Sequence, residues 1–209
     1  MKEQKKRALT DFHRHAIQDA AEKLFLKHGV EATSIDDIAK ESGYSRATLY
    51  VYFKSKSDIW NNILLSAMIK LKESAERAVS TDCNSIEKYY ALCEAIAEFS
   101  DENPLYFESL QGVILLKDDE VLKQIFEAGE EIDTLVGQLI TQGIAEGVVR
   151  SDVQFPHIVI VLWSSISGLI RMAAQKNEYF SETTGLSKKE FLRYGFDTLL
   201  RSITKEEMP

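Results

Sequence analysis

The chain has 209 residues, 44% of them hydrophobic, and 25 Lys and Arg against 33 Asp and Glu give it a net charge of −8. That balance excludes a disordered or fibrous chain and supplies enough apolar side chain for a sizeable core. Three prolines and ten glycines are too few for an all-β chain with its many turns, so the composition points to an all-α fold of one or two domains.

In chain order, Ile17, Ala20, Ala21, Leu24 and Phe25 form one apolar stripe. It predicts a first helix from about Thr10 to His28, stopped by Gly29. Ser34, with Asp37 three residues on, resembles a capping box, and it opens a short second helix that carries Ile35, Ile38 and Ala39 and ends before Gly43. Ser45 caps a third, on which Leu49, Tyr52 and Phe53 share a face. Ser57 is placed to cap a long fourth helix through Trp60, Ile63, Leu64, Ala67, Met68 and Leu71 toward Val79, and residues 80–85 read as a loop. Further helices are expected at about 86–100, 104–116, 119–147, 155–176 and 188–203. Asn103 and Ser187 serve as N-caps, Pro104 stands at N1, and the charge run 117–120 marks a helix start. The 13 residues between His157 and Arg171 are an apolar run short of the ~20 that span a bilayer, and they predict a buried helix rather than a membrane segment.

Charge is unevenly spread. Residues 1–60 hold eleven Lys and Arg against nine Asp and Glu, whereas the remaining residues hold fourteen against twenty-four. A weakly basic head on an acidic body suits a protein of which only the head approaches a polyanion. Two short helices joined by Ser42-Gly-Tyr-Ser45 have the length and the turn glycine of a helix-turn-helix, whose second helix enters the major groove. At 100° per residue, Ala47, Tyr50, Val51 and Lys54 fall opposite Leu49, Tyr52 and Phe53. Small Ala47 allows close approach to the groove floor, Val51 suits a thymine methyl, Tyr50 offers a ring and a hydroxyl, and Arg46 is placed to reach a guanine edge. Ser34, Thr48, Tyr52, Lys54 and Lys56 are candidate phosphate partners.

The run Ala16 to Asp58, AIQDAAEKLFLKHGVEATSIDDIAKESGYSRATLYVYFKSKSD, resembles the DNA-binding head of the tetracycline-repressor (TetR) family of transcriptional regulators. The resemblance implies an all-helical homodimer of about nine helices with a variable ligand-binding body behind the head. Position by position it implies DNA contacts at Thr48, Tyr50, Tyr52 and Lys56 and base-reading places at Arg46 and Ala47. Val51 stands where the family often has an aromatic. The expected organisation is therefore a DNA-binding domain at 1–56 and a ligand-binding and dimerisation domain at 57–209. A dimer would read a palindromic double-stranded DNA operator.

In the body, Met68, Tyr89, Cys93, Tyr106, Phe107, Phe126 and Trp163 are candidates to line a pocket for an apolar small-molecule effector, as the resemblance implies. Leu162, Ser165, Leu169 and Met172 recur at helical spacing, as do Phe191, Tyr194, Gly195, Thr198 and Leu199. Together they predict a dimer interface built as a four-helix bundle. Cys83 and Cys93 lack a second pair, and no His pair has ligand spacing, so no zinc site, cofactor or disulfide framework is expected. No phosphate loop or nucleophile elbow occurs, which argues against an enzyme. The basic start is followed by no apolar run, which predicts a cytoplasmic protein. The alternative to a ligand-released repressor is a helical scaffold that binds protein alone.

Overall fold

The computed structural model describes residues 2–113 and 119–205. Among them the regular elements are ten helices: α1 (Lys2–His28), α2 (Ile35–Ser42), α3 (Arg46–Tyr52), α4 (Lys56–Val79), α5 (Ser85–Glu102), α6 (Pro104–Gln111), α7 (Glu120–Ala145), α8 (His157–Gln175), α9 (Asn177–Thr184) and α10 (Lys188–Ile203). The all-α expectation is met, with one isolated antiparallel bridge, Val149 to Thr204.

Differences from the predicted boundaries have local causes. α1 begins eight residues earlier than expected, because residues 2–9 have good helix formers but bury no stripe that periodicity could register. α4 starts at Lys56 and is capped by the Ser55 hydroxyl, which accepts from the Asp58 amide; Ser57 already lies inside the helix. Asn103 makes no capping bond and turns its amide back to the Phe99 carbonyl, leaving Pro104 to begin α6 unaided. α6 closes at Gln111, and the end expected at 116 lies outside the described residues, as do Lys117 and Asp118 of the charge run. Asp119 caps α7 through the amides of Val121 and Leu122. α9 was not expected: it buries no residue, and Phe180 on it stacks on Phe191 at 4.4 Å. α8 is 19 residues with a mean hydropathy of 1.6, long and apolar enough by length and composition to cross a bilayer; a third of it is buried, where α5 and α10 pack on it.

The chain divides into two compact units. The first comprises Met1–Ala67 with Val113–Ile125. Ile17, Ala21 and Phe25 of α1, Ile38 of α2, Leu49 of α3 and Ile59 and Ile63 of α4 form its core, with Trp60 edge-on to Phe25 at 5.3 Å. This unit runs past residue 56 because the first three turns of α4 bury their apolar face in it. The second unit, Met68–Gly112 with Phe126–Pro209, is centred on Leu92, Ile96, Ile132, Ile170 and Leu200. Two joints fasten it. Glu146 near the end of α7 accepts from the amide and hydroxyl of Ser85 at the start of α5, and the Arg150 amide donates to the Ile203 carbonyl at the end of α10.

Candidate nucleic-acid interface

Two short helices present the interface, and each is fixed by its own ends. The Ser34 hydroxyl accepts from the Asp37 amide, while the Asp37 carboxylate accepts from the Ser34 hydroxyl and amide. Those two bonds from Ser34 hold the Asp37 carboxyl below its ordinary range, so at neutral pH the box is closed and ionised. Gly43 ends α2 at φ 73°, a left-handed conformation that favours glycine. Ser45 then caps α3 by accepting from the Thr48 amide.

The faces of α3 follow its period. Leu49 is buried, as is Phe53 just beyond the helix end, while Ala47, Tyr50 and Val51 are exposed, Val51 at 76% and Tyr50 at 48%. Ala47, Tyr50 and Val51 thus leave the face of α3 opposite Leu49 in water. Arg46 is exposed beside them. It pairs with Asp36 at 3.2 Å and its guanidinium lies 5.8 Å from the Tyr50 ring centre, which holds the side chain at the start of the helix. Tyr52 is half-buried, with its ring 5.5 Å from that of His13.

Around α3, Ser34 and Thr48 reach the surface but already carry capping bonds, the Thr48 hydroxyl 2.8 Å from that of Ser45. Lys54 is exposed, and its backbone amide donates to Asp58. Lys56 differs from a simple phosphate ligand: its ammonium donates to the carbonyls of Val30 at 2.7 Å and Glu31 at 3.3 Å, tying α4 to the turn after α1. One of its three donors is left for an outside acceptor. Two residues that sequence reasoning did not assign position α3. Arg14 donates to the Tyr52 carbonyl and to Asn62 of α4 at 2.9 Å, and its guanidinium covers the Phe53 ring at 4.2 Å. His13 Nδ1 lies 2.7 Å from the Tyr44 hydroxyl in the turn. Spacing could not single them out, because their partners are 31 to 48 residues away.

The body's candidates do not converge on one cavity. Tyr89 and Trp163, with Leu92, Val136, Ile140 and Leu162, line an apolar space of about 30 Å³, room for about two waters. Met68 lies against Gly129, and Cys93, Tyr106 and Phe107 are buried side chains of their helices, with Phe126 half-buried on α7. The Tyr89 hydroxyl donates to the Phe196 carbonyl, and burial raises its pKa. Burial likewise pushes the Cys93 thiol up to about 12. Among the described residues no group of three or more His, Cys, Asp and Glu could hold a metal.

The proposed dimer residues separate into two groups. Leu162, 2% exposed, and Gly195 belong to the protomer's own core, where Gly195 lets Leu169 approach so closely that a β-carbon there would stand 2.7 Å from Leu169 Cδ1. That seam packs α8 against α10 within the chain, with Leu169 half-buried in it. Phe191 is half-buried under Phe180, and Ser165 and Leu199 are half-buried too. Met172, Tyr194 and Thr198 are exposed, and so are Ile160 and Val161, which the stripe did not include.

Residues 17–63 match the family model described as "Bacterial regulatory proteins, tetR family". The chain is 26% identical over 178 residues to the uncharacterized HTH-type transcriptional regulator YfiR of Bacillus subtilis, covering 82% of this chain and 85% of that one. It is 26% identical to the HTH-type transcriptional repressor BepR of Brucella suis, covering 86% and 74%. In fold it matches a transcriptional regulator FadR from Bacillus subtilis, solved in complex with stearoyl-CoA, at a TM-score of 0.70 and 17% identity over 90% of this chain and 98% of that one. The helix-turn-helix at 34–53 and the match at 17–63 agree that the head is a tetR-family DNA-binding head, and the chain as a whole has the all-helical fold of the solved regulator that it matches.

Proposed function

We propose that the chain is a repressor that occupies a palindromic operator as a homodimer and is released when an apolar small molecule enters the body. The observation that carries the DNA half is the exposed face of α3, where Arg46, Ala47, Tyr50 and Val51 stand outside a core complete without them. Arg46 and Ala47 are placed to read base edges, and Lys54 and the free donor of Lys56 to hold phosphate.

The sign of control rests on two supports. α3 is capped by Ser45 and held by Arg14, both of the chain's own head, so the fold itself supplies the reading helix, and in this reading a ligand acts through its differential affinity for a state that reads DNA less well. The relative BepR is named a repressor. An apolar effector suits the walls beside Tyr89 and Trp163, and FadR, of the same fold, was solved with stearoyl-CoA. A space of about 30 Å³ admits no such molecule without displacement of its walls, and that displacement is the source of the control.

The test is a binding titration against genomic fragments, followed by competition with a series of acyl-CoA and free fatty acid ligands. The reading expects nanomolar binding to a palindromic fragment and loss of that binding as the ligand saturates. Failure to prefer any fragment over bulk DNA would favour a protein-binding scaffold. Tight ligand binding at unchanged operator affinity would refute the control.

A further inference from the structure

The positive balance of the head comes entirely from its first two turns. Residues 1–7 hold four Lys and Arg against one Glu, whereas residues 8–60 hold seven against eight. The helix-turn-helix itself is thus close to neutral in a chain of net charge −8, and its attraction to a polyanion must come mainly from elsewhere.

α1 carries that charge on an extension. Lys5, Lys6 and Arg7 are exposed and form no ion pair among the described residues. Leu9 and Phe12, 57% and 65% exposed, follow them on a stretch that buries no side chain. Helical regularity has no packing reason to persist there, and cations at a helix N-terminus oppose the macrodipole. A local charge pattern in conflict with its own helix marks a segment shaped by something outside the fold.

The extension leaves the head beside the reading helix. His13 meets Tyr44, just before α3, and Tyr52, at its end. From His13 to Lys6 is seven residues, about 10 Å of helix, to which a lysine side chain adds several more. This places the basic turns within reach of backbone phosphates flanking the base pairs that α3 reads.

We infer that the first two turns of α1 are a second, sequence-independent DNA-binding element in which Lys5, Lys6 and Arg7 bind phosphates outside the half-site. The inference rests on the DNA-binding reading above. Occupied by phosphate, the cations no longer oppose the helix, so binding also firms the start of α1.

The experiment compares the full chain with the triple variant Lys5→Gln, Lys6→Gln, Arg7→Gln on an operator duplex with long flanks, on one trimmed to the palindrome and on a scrambled duplex, from about 50 to 200 mM salt. The expected result is a slope of log affinity against log salt shallower by about 0.9 for each phosphate no longer neutralised, roughly 2.7 for each arm. The ratio of operator to scrambled affinity stays the same. Trimming the flanks lowers the slope of the unaltered chain equally and adds nothing to the triple variant. The variant's melting temperature stays equal or rises, since cations leave the positive end of a helix. An unchanged slope, or a weakening confined to the operator, overturns the inference while leaving the DNA reading intact. Absence of DNA binding by the unaltered chain would sink both. Binding of the unaltered chain to vesicles rich in anionic lipid, abolished in the variant while the DNA slope is unchanged, would assign the arm to a membrane surface instead.

Discussion

At the scale of single residues, two side chains expected from the sequence to contact DNA should behave differently. Arg46 touches the rest of the protein through Asp36 and the Tyr50 ring, both at the surface, so Arg46→Ala leaves the fold intact. It should reduce operator affinity about ten- to a hundredfold and relax preference at one base pair, as read by titration against single-base operator variants. Equal weakening on every sequence would show that Arg46 holds phosphate. Lys56 bonds two carbonyls of the turn after α1, so Lys56→Ala should lower the thermal midpoint as well as DNA affinity. The cysteines make a second residue-scale contrast. Cys93 is fully buried, with its thiol pushed up to about 12, whereas Cys83 is half-buried beside the Thr81 hydroxyl. Iodoacetamide at pH 8 should label Cys83 in the native chain and reach Cys93 only after denaturation. Mass spectrometry of the labelled chain checks this, and rapid native labelling of Cys93 would contradict its placement.

At the scale of elements, the joint of α5, α7 and the turn after α7 is closely packed. A β-carbon on Gly143 would stand 2.5 Å from Val149 Cγ2 and 3.2 Å from the Ser85 hydroxyl. Val149 is buried and branched, with little rotamer freedom, so Gly143→Ala should destabilise the chain by about 1 to 3 kcal/mol in denaturant unfolding despite the better helix propensity of alanine. The same joint sets an acid response. The Ser85 hydroxyl and amide, then the Gln142 amide, hold the Glu146 carboxyl below its ordinary range. Its stabilisation is therefore complete above the ordinary carboxylate pKa and is lost as pH falls through the lower folded value. Melting midpoints of the unaltered chain and Glu146→Gln should differ at pH 7 and converge toward pH 3; a constant gap would exclude the linkage.

What was legible in these elements depended on distance along the chain. The caps at Ser34, Ser45 and Ser187 were readable because cap and partner lie three residues apart. The buried face of α3 was readable because one helical period decides it. The start of α1 and the whole of α9 bury no stripe, so hydrophobic pattern carried no trace of them. Aromatic content could not separate pocket from core, since Tyr106 and Phe107 are as apolar as Trp163 and differ only in tertiary surroundings. Nor could spacing tell which apolar face of α8 meets its own chain: the helix is apolar nearly all round, and Leu162 faces inward while Val161 faces out.

At the scale of the whole molecule, that rotated face bears on how an operator is read. α8 exposes Ile160, Val161 and Met172, and α10 exposes Tyr194 at 68% together with Thr198. Unlike Leu162 and Gly195, these side chains are free of the protomer's core, and in the proposed dimer they are the apolar surface that pairing of two copies would bury. In the proposed function one α3 reads a half-site, and a dimer would join two such readings with half-sites about 34 Å apart or a multiple of that. Joining makes the second binding event intramolecular, a gain of about 10²- to 10⁴-fold in affinity without any new bond to DNA. Val161→Asp should therefore halve the mass measured by equilibrium sedimentation. It should leave the helical spectrum unchanged, because the side chain stands outside the protomer's core, and lower affinity for the full palindrome at least a hundredfold. Affinity for an isolated half-site should stay the same, since α3 is untouched. A Val161→Asp chain that sediments as a dimer would place the interface elsewhere, and a monomer that binds the palindrome as tightly as the unaltered chain would show that one copy suffices for recognition.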